Sequence, residues 1–205
     1  MGFLSSATKS GAIAIGANSQ ATGDNSWCVG TGCTAGGSGA IGAFALAANG
    51  GNAFGDRSVA TGSLSTALGP GASATAANSV AIGAGSIATA PNTVSFGSPG
   101  NERRLTNIAP GIGPTDAATF GQLTDVGKEA RRGIAASVAL AAPMTPSARG
   151  KTTITTNTGF FRGETAVGVA VAHRLNISMP IVIQGGYANG GGREHAGRVG
   201  MGFEF

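Results

Sequence analysis

The sequence predicts an all-β chain interrupted by one helix. Three observations carry this. An apolar residue followed by Gly recurs roughly every 14 residues through the first half, four segments of about ten residues near the C-terminus alternate apolar with small residues, and one stretch between them has helical spacing. Composition agrees. With 37 Gly, 5% aromatic and 11% charged residues in 205, the side chains are too small to offset ordering entropy through a conventional layered core, so a repetitive or assembled structure is indicated. The Val and Ile content excludes a flexible low-complexity chain, and 8 Pro without a three-residue Gly period exclude collagen.

The repeats are marked by Ile15-Gly16, Val29-Gly30, Ile41-Gly42, Phe54-Gly55, Leu68-Gly69, Ile82-Gly83 and Phe96-Gly97, at steps of 14, 12, 13, 14, 14 and 14 residues. The fullest copies are 78–83 and 92–97, with 25–30 a relative. Seven residues after most of these glycines stands another small residue (Gly23, Gly37, Asn49, Gly62, Ala76, Ala90), so each repeat divides into two halves, each one short strand and one tight turn. Alternation puts Val80 and Ile82, or Val94 and Phe96, on one face. We assign Ile15, Val29, Ile41, Phe54, Leu68, Val80, Ile82, Val94 and Phe96 as the core of the repeats. Such halves cannot bury that face alone, so successive coils stack into a parallel β-solenoid with a thin core. One solenoid leaves an apolar flank, which predicts lateral association. Cys28 and Cys33 have neither zinc nor redox spacing. A local disulfide and two reduced small hydrophobes both remain open.

After the repeats, Thr115 is a suitable N-cap for a helix opening at Asp116. Leu123, Val126 and Ala130 keep a 3-4 spacing, Ile134, Val138 and Ala141 resume it in shifted phase, and Pro143 ends it. Residues 133–142 are almost all small, which suits helices packed closely on every side. In residues 165–173, Val167, Val169 and Val171 share one face, opposite Ala166, Gly168, Ala170 and Ala172. The last segment sets Val199, Met201, Phe203 and Phe205 opposite Arg198, Gly200, Gly202 and Glu204. Strands with an apolar face outward and a small or polar face inward are the mark of an outer-membrane barrel. Four strands cannot close one, because open edges are excluded from lipid and a filled barrel needs about eight. Three chains give 4 × 3 = 12 strands. Gly159, Gly168, Gly200 and Gly202 then line a lumen that admits the helices.

Residues 92–123 carry a family resemblance. They follow the pattern N-x-V-S-x-G, then N-E-R-R-[IL]-T-N-[VI]-A, then T-D-A-x-x-x-x-Q-L, through Asn101, Glu102, Arg103, Arg104, Thr106, Asn107, Asp116, Ala117, Gln122 and Leu123. This resembles the neck of the trimeric autotransporter adhesins of the YadA-like kind. The likeness extends from about Ala12 to Phe205 in the order head, neck, stalk and anchor, and includes Gly150-Lys151, Gly159 before an aromatic, and a terminal Phe205. Gly121, where a helix former is expected, and the short third repeat depart from the pattern.

The resemblance implies a left-handed parallel β-roll head at 1–91, a neck at 92–123, a short coiled-coil stalk or pore helix at 124–148 and a barrel anchor at 149–205, assembled as a homotrimer. It implies that Asn101, Glu102, Arg103, Arg104, Asn107, Asp116 and Gln122 pair between chains, that Gly159 makes room for passage through the pore, and that Phe205 is read by the barrel-assembly machinery. The implied function is adhesion by a surface-displayed head to host matrix, host cells or other bacteria, with an anchor in outer-membrane lipid that also translocates the passenger. The alternative is a truncated or degenerate surface scaffold without a specific ligand. Residues 1–6 lack the features of a secretory signal, so an exported chain would be a mature form or a fragment.

Other functions find little support. The 13 basic and 9 acidic residues are scattered, which disfavours nucleic acid. His173 and His195 lie in or beside predicted barrel strands and the carboxylates are dispersed, so no catalytic set, cofactor or metal site is expected. The period of 14 and the lack of His in the repeats also separate the chain from hexapeptide-repeat acyltransferases. Gly30-x-Gly32-x-x-Ala35 imitates a dinucleotide fingerprint without its strand and helix context. Thr22, Thr61, Thr75 and Thr89 recur in phase, as an ice-binding ladder would, but the repeat alone explains them.

Overall fold

The computed structural model describes residues 2–203. The chain forms two units, Met1–Thr106 and Asn107–Phe205. In the first, short strands alternate between two faces: β1 (Ser6–Ala7), β2 (Ile13–Ile15), β3 (Gln20–Ala21), β4 (Trp27–Val29), β5 (Thr34–Gly36), β6 (Gly39–Ile41), β7 (Leu46–Ala48), β8 (Asn52–Phe54), β9 (Val59–Ala60), β10 (Thr66–Leu68), β11 (Ser73–Ala74), β12 (Val80–Ile82), β13 (Ile87–Ala88) and β14 (Val94–Ser95). Odd-numbered strands make one parallel seven-stranded sheet, and even-numbered strands make the other. Each strand therefore pairs one full coil away, as in Ser73↔Ile87 and Thr66↔Val80. The pairing Trp27↔Gly39 advances only 12 residues (39 − 27), because the turn between β5 and β6 has shrunk to Gly37 and Ser38. The roll extends past the expected boundary at residue 91 to β14.

The interior corrects the assigned core. Between the end strands β1 and β14, each strand aims its middle or second residue inward, and Ala21, Cys28, Ala35, Ala40, Ala47, Ala53, Ala60, Ala67, Ala74 and Ala81 are fully buried. A second inward row is Ser19, Ser26, Cys33, Ser58, Ser65, Ser79 and Ser86. The hydroxyls of Ser19, Ser26, Ser58 and Ser79 donate back to turn carbonyls at 2.8, 2.7, 2.7 and 2.8 Å, which satisfies them without water. Ile15, Val29, Ile41, Phe54, Leu68, Val80, Ile82, Val94 and Phe96 are partly or largely exposed on the outer side of the even-numbered sheet. The reason is geometric. So short a coil brings its two sheets too close for more than an Ala, a Ser or half a cystine, and strand alternation turns the larger neighbours outward.

The repeated glycines are stacking positions. A Cβ on Gly16, Gly30 or Gly42 would lie within 2.5 Å of the backbone of the matching glycine one coil on, and their φ values of 123°, 143° and 127° disfavour any other residue. Asn18, Asn25, Asn49, Asn78 and Asn92 take left-handed turn conformations. Asn78 also donates to Asn92 at 2.8 Å across one coil.

The second unit holds helix α1 (Phe120–Ala139) and a meander of β15 (Thr152–Phe161), β16 (Glu164–Arg174), β17 (Ile181–Asn189) and β18 (His195–Phe203), antiparallel in sequence order. The helix starts later than the sequence predicts. Thr119 is the N-cap, in a capping box with Gln122, whereas Asp116 closes the preceding turn by accepting from Gly113 and Ile112 at 2.9 and 3.0 Å. The helix ends at the Leu140 cap, before Pro143.

Candidate functional site: two outer faces, a neck and a lumen

The two faces of the roll differ in chemistry. The even-numbered sheet shows Ile13, Ile15, Trp27, Val29, Ile41, Phe54, Leu68 and Val94 outward, and Trp27 lies over Gly39 to reach Phe54 at 5.8 Å between ring centroids. The odd-numbered sheet shows Gln20, Thr34, Leu46, Val59, Ser73 and Ile87, followed at the same parity by Thr22, Thr61, Thr75 and Thr89. One face is predominantly apolar, interrupted by Asn52 and Thr66, of the kind that marks an association site, and the other is a mixed ladder of small polar and apolar side chains. Cys28 and Cys33 form a disulfide across the interior of one coil, with Cα atoms 5.9 Å apart.

Several of the neck residues make bonds within their own chain. Arg103 donates to Ser86 Oγ at 2.8 Å, Phe96 O at 2.7 Å and Ala84 O at 2.6 Å, capping carbonyls that the last coil leaves without a following strand. Glu102 accepts from Gly100 at 3.0 Å, and its carboxyl is held below the ordinary range by its own backbone N–H and that of Gly100. Gln122 exchanges bonds with Gly111 at 3.0 and 2.9 Å, and Asp116 is held below the ordinary range by the Gly113 and Ile112 N–H groups. Asn107 takes a left-handed turn conformation at φ 59°, Asn101 bridges Ser98 through the backbone, and Arg104 is exposed.

In the second unit the small face of the sheet packs on the helix. A Cβ on Gly159 would lie 2.1 Å from Ala135 O, and one on Gly168 would lie 2.4 Å from Ala139 O. Ala135, Ala136 and Ala139 are buried there against Ala166 and Ala188. Gly200 and Gly202 point to the same side without touching the helix, the first meeting only Gln184 at 3.5 Å and the second nothing within 4 Å. The opposite helix face, Leu123, Val126, Ile134 and Val138, is 65%, 62%, 43% and 51% exposed, so the helix has a second apolar seam that its own chain leaves open. Outward from the sheet stand Ile154, Phe160, Val167, Val169, Val171, Ile183, Tyr187, Val199, Met201 and Phe203. No described helix is long and apolar enough to cross a membrane, a test that leaves β-barrels untouched. Phe205 lies outside the described residues.

The sequence reading missed the ion pairs of Arg132 with Glu164 at 3.1 Å and Glu194 at 3.8 Å, and the bond from Arg198 to Leu140 O at 3.1 Å. The available signal was a lone Arg pair entering an otherwise small-residue helix, with one Glu in or beside each of two predicted turns.

Comparison with known proteins follows the same division. The YadA head domain repeat matches residues 7–26, 60–86 and 77–98, and the YadA-like membrane anchor domain matches 144–205. The crystal structure of the collagen-binding domain of the Yersinia adhesin YadA is similar at 33% identity and a TM-score of 0.52, over 60% of this chain and 78% of that one. The chain belongs to the YadA-like trimeric autotransporter adhesins. The solid-state NMR structure of the YadA membrane anchor domain is also similar, at 24% identity and a TM-score of 0.37, over 42% of this chain and 79% of that one. No curated protein sequence matches. Membership makes this a surface adhesin of the outer membrane, with its head exposed and its anchor built from β-strands. The family is one of adhesins and autotransporter anchors, not of enzymes.

Proposed function

We propose that three copies associate through the apolar face of the even-numbered head sheets, turning the odd-numbered faces outward to adhere to a host matrix protein. The difference between the two faces carries this reading: a largely apolar sheet in water seeks a partner, and a structure similar to the head is a collagen-binding domain. The four anchor strands of each chain close a 12-stranded barrel in outer-membrane lipid, since β15 and β18 are end strands that lipid cannot solvate. The helices fill its lumen, their second seams meeting on the axis, and the passenger is exported through the same barrel. Head, neck, pore helix and anchor then follow in order, with the barrel-assembly machinery reading Phe205.

Binding of cells displaying the chain to triple-helical collagen and to heat-denatured collagen tests the proposal. We expect binding to the triple helix, and a loss of at least about ten-fold on changing Thr61 and Thr75 to Arg, with the heat-sensitive trimer band, near three times 19.8 kDa on a denaturing gel, unchanged. Intact trimers that bind neither form, nor other matrix proteins, nor one another would favour the ligand-free scaffold instead.

A further inference from the structure

We infer that Arg132 is a latch that fixes α1 at one depth in the anchor and closes the mouth where the helix enters. This rests on the reading of the helix as standing inside a membrane pore. The helix seam below Arg132 is made of Ala135, Ala136 and Ala139 against Gly159, Gly168 and Ala166. Along those alanines such a surface brings backbones close but has no protruding side chain to choose between positions one turn apart, about 5.4 Å along the axis, and only at the far end do Leu140 over Gly186 and the bond from Arg198 to Leu140 O mark a position. The end where the helix enters needs its own fixing point.

Arg132 has the required geometry. Its Nε lies 3.1 Å from Glu164 Oε2 and its Nη1 lies 3.8 Å from Glu194 Oε2, and all three side chains are largely shielded, at 28%, 19% and 16% exposure. The two carboxylates come from different turns at the same end of the sheet, β15 to β16 and β17 to β18. One guanidinium therefore ties the helix to both hairpins at once, and a slide in either direction breaks both contacts. The glycines of the second turn make this possible. A Cβ on Gly190 would lie 2.5 Å from the Arg132 carbonyl, and one on Gly192 would lie 2.9 Å from Glu194 Oε2 and 3.1 Å from Arg132 Nη1. The turn closes down on the arginine because it lacks side chains. While the passenger threads, the two carboxylates face an open lumen. The last part of the chain to arrive brings the cation that pairs with both, and export ends with the mouth shut.

The test uses the full chain in outer membranes, read by the heat-sensitive trimer band and by conductance of the purified trimer in planar bilayers. Arg132→Ala should keep the trimer and raise the fraction of open-pore events on the order of ten-fold, a modest figure because the pair is partly solvated. Arg132→Lys should restore closure in part. Replacing Arg132 by Glu together with Glu164→Arg and Glu194→Gln should restore it further, a rescue that simple loss of packing would not show. Trimeric Arg132→Ala with the parent's conductance would overturn the latch. Where Arg132→Ala forms no trimer, the exchanged chain decides: a regained, closed trimer supports the latch, and none regained overturns it. A parent chain that forms no trimer removes the pore reading and the latch together.

Discussion

In the head, Gly42 and Gly55 press against the next coil of the same solenoid, whereas in the anchor Gly159 and Gly168 press against a helix. Both regions use small residues inside and send large apolar residues outside, but the outside differs. For the head it is water or another chain, and for the anchor, in the arrangement proposed above, it is lipid. The head's glycines answer to a partner at fixed sequence distance and therefore recur with a period. The anchor's answer to one helix of one composition, so their spacing follows strand pleat and not repeat length. The lesson is that glycine content marks close approach of backbones without saying what approaches, and only the spacing distinguishes the cases.

Single substitutions can break that comparison. Gly55→Val should cost about 4 kcal/mol, because its Cβ would sit 2.5 Å from backbone that cannot yield and its φ of 133° strains any side chain. Gly168→Val should be comparably severe, since Ala139 O lies 2.4 Å from its Cβ position. Gly202→Val, on the same inner face, meets nothing within 4 Å among the described residues. Heat resistance of the trimer band should fall sharply for the first two and little for the third. Equal loss at Gly202 would show that a neighbouring chain occupies the space there, and the contrast between pressed and unpressed lumen glycines would fail.

The next effect is smaller and confined to the head. Cys28 and Cys33 occupy positions that other coils fill with Ala and Ser, so changing Cys28 to Ala and Cys33 to Ser keeps the volume pattern while removing the cross-link. Closing so short a loop restricts the unfolded chain by about 2 kcal/mol. The head's unfolding midpoint should therefore drop by several degrees while the anchor's stays in place. A parallel fall in both would mean that the two regions do not unfold independently.

Much of this was legible in the sequence because period and alternation are one-dimensional signals. The x-Gly steps located every coil, down to the two-residue deficit at Gly39, and perfect alternation at 165–173 located β16. Which residues lay inside the roll was not legible. Val80-Ala81-Ile82 alternates equally well with either set inward, and the thinness of the coil, not hydrophobicity, chose Ala81. The helix start was misplaced for a related reason: Thr115-Asp116 and Thr119 with Gln122 both read as caps, and only the tertiary bond of Gln122 to Gly111 selects the second. The bonds of Arg103 to Phe96 O and Ala84 O were not legible either, because charge in a turn-rich segment advertises pairing without naming the partner, and orphan carbonyls at the end of a solenoid leave no mark in sequence.

The smallest effect separates the turns before the helix from everything on either side. Asp116 accepts from the Gly113 and Ile112 N–H groups, and these bonds hold its carboxyl below the ordinary range. A folded-state value below the unfolded one means that the stabilisation is complete above the ordinary carboxylate range and lost as pH falls through the depressed value. Acid should therefore loosen residues 111–116 first. Hydrogen exchange at the Ile112 and Gly113 amides should accelerate on acidification, beyond the change in intrinsic rate, before any strand amide does. Asp116→Asn, which keeps an acceptor without a titrating group, should flatten that response. Acceleration that survives in the Asn variant would move the acid sensitivity elsewhere, with Glu102, held low by its own and the Gly100 N–H, the next group to replace.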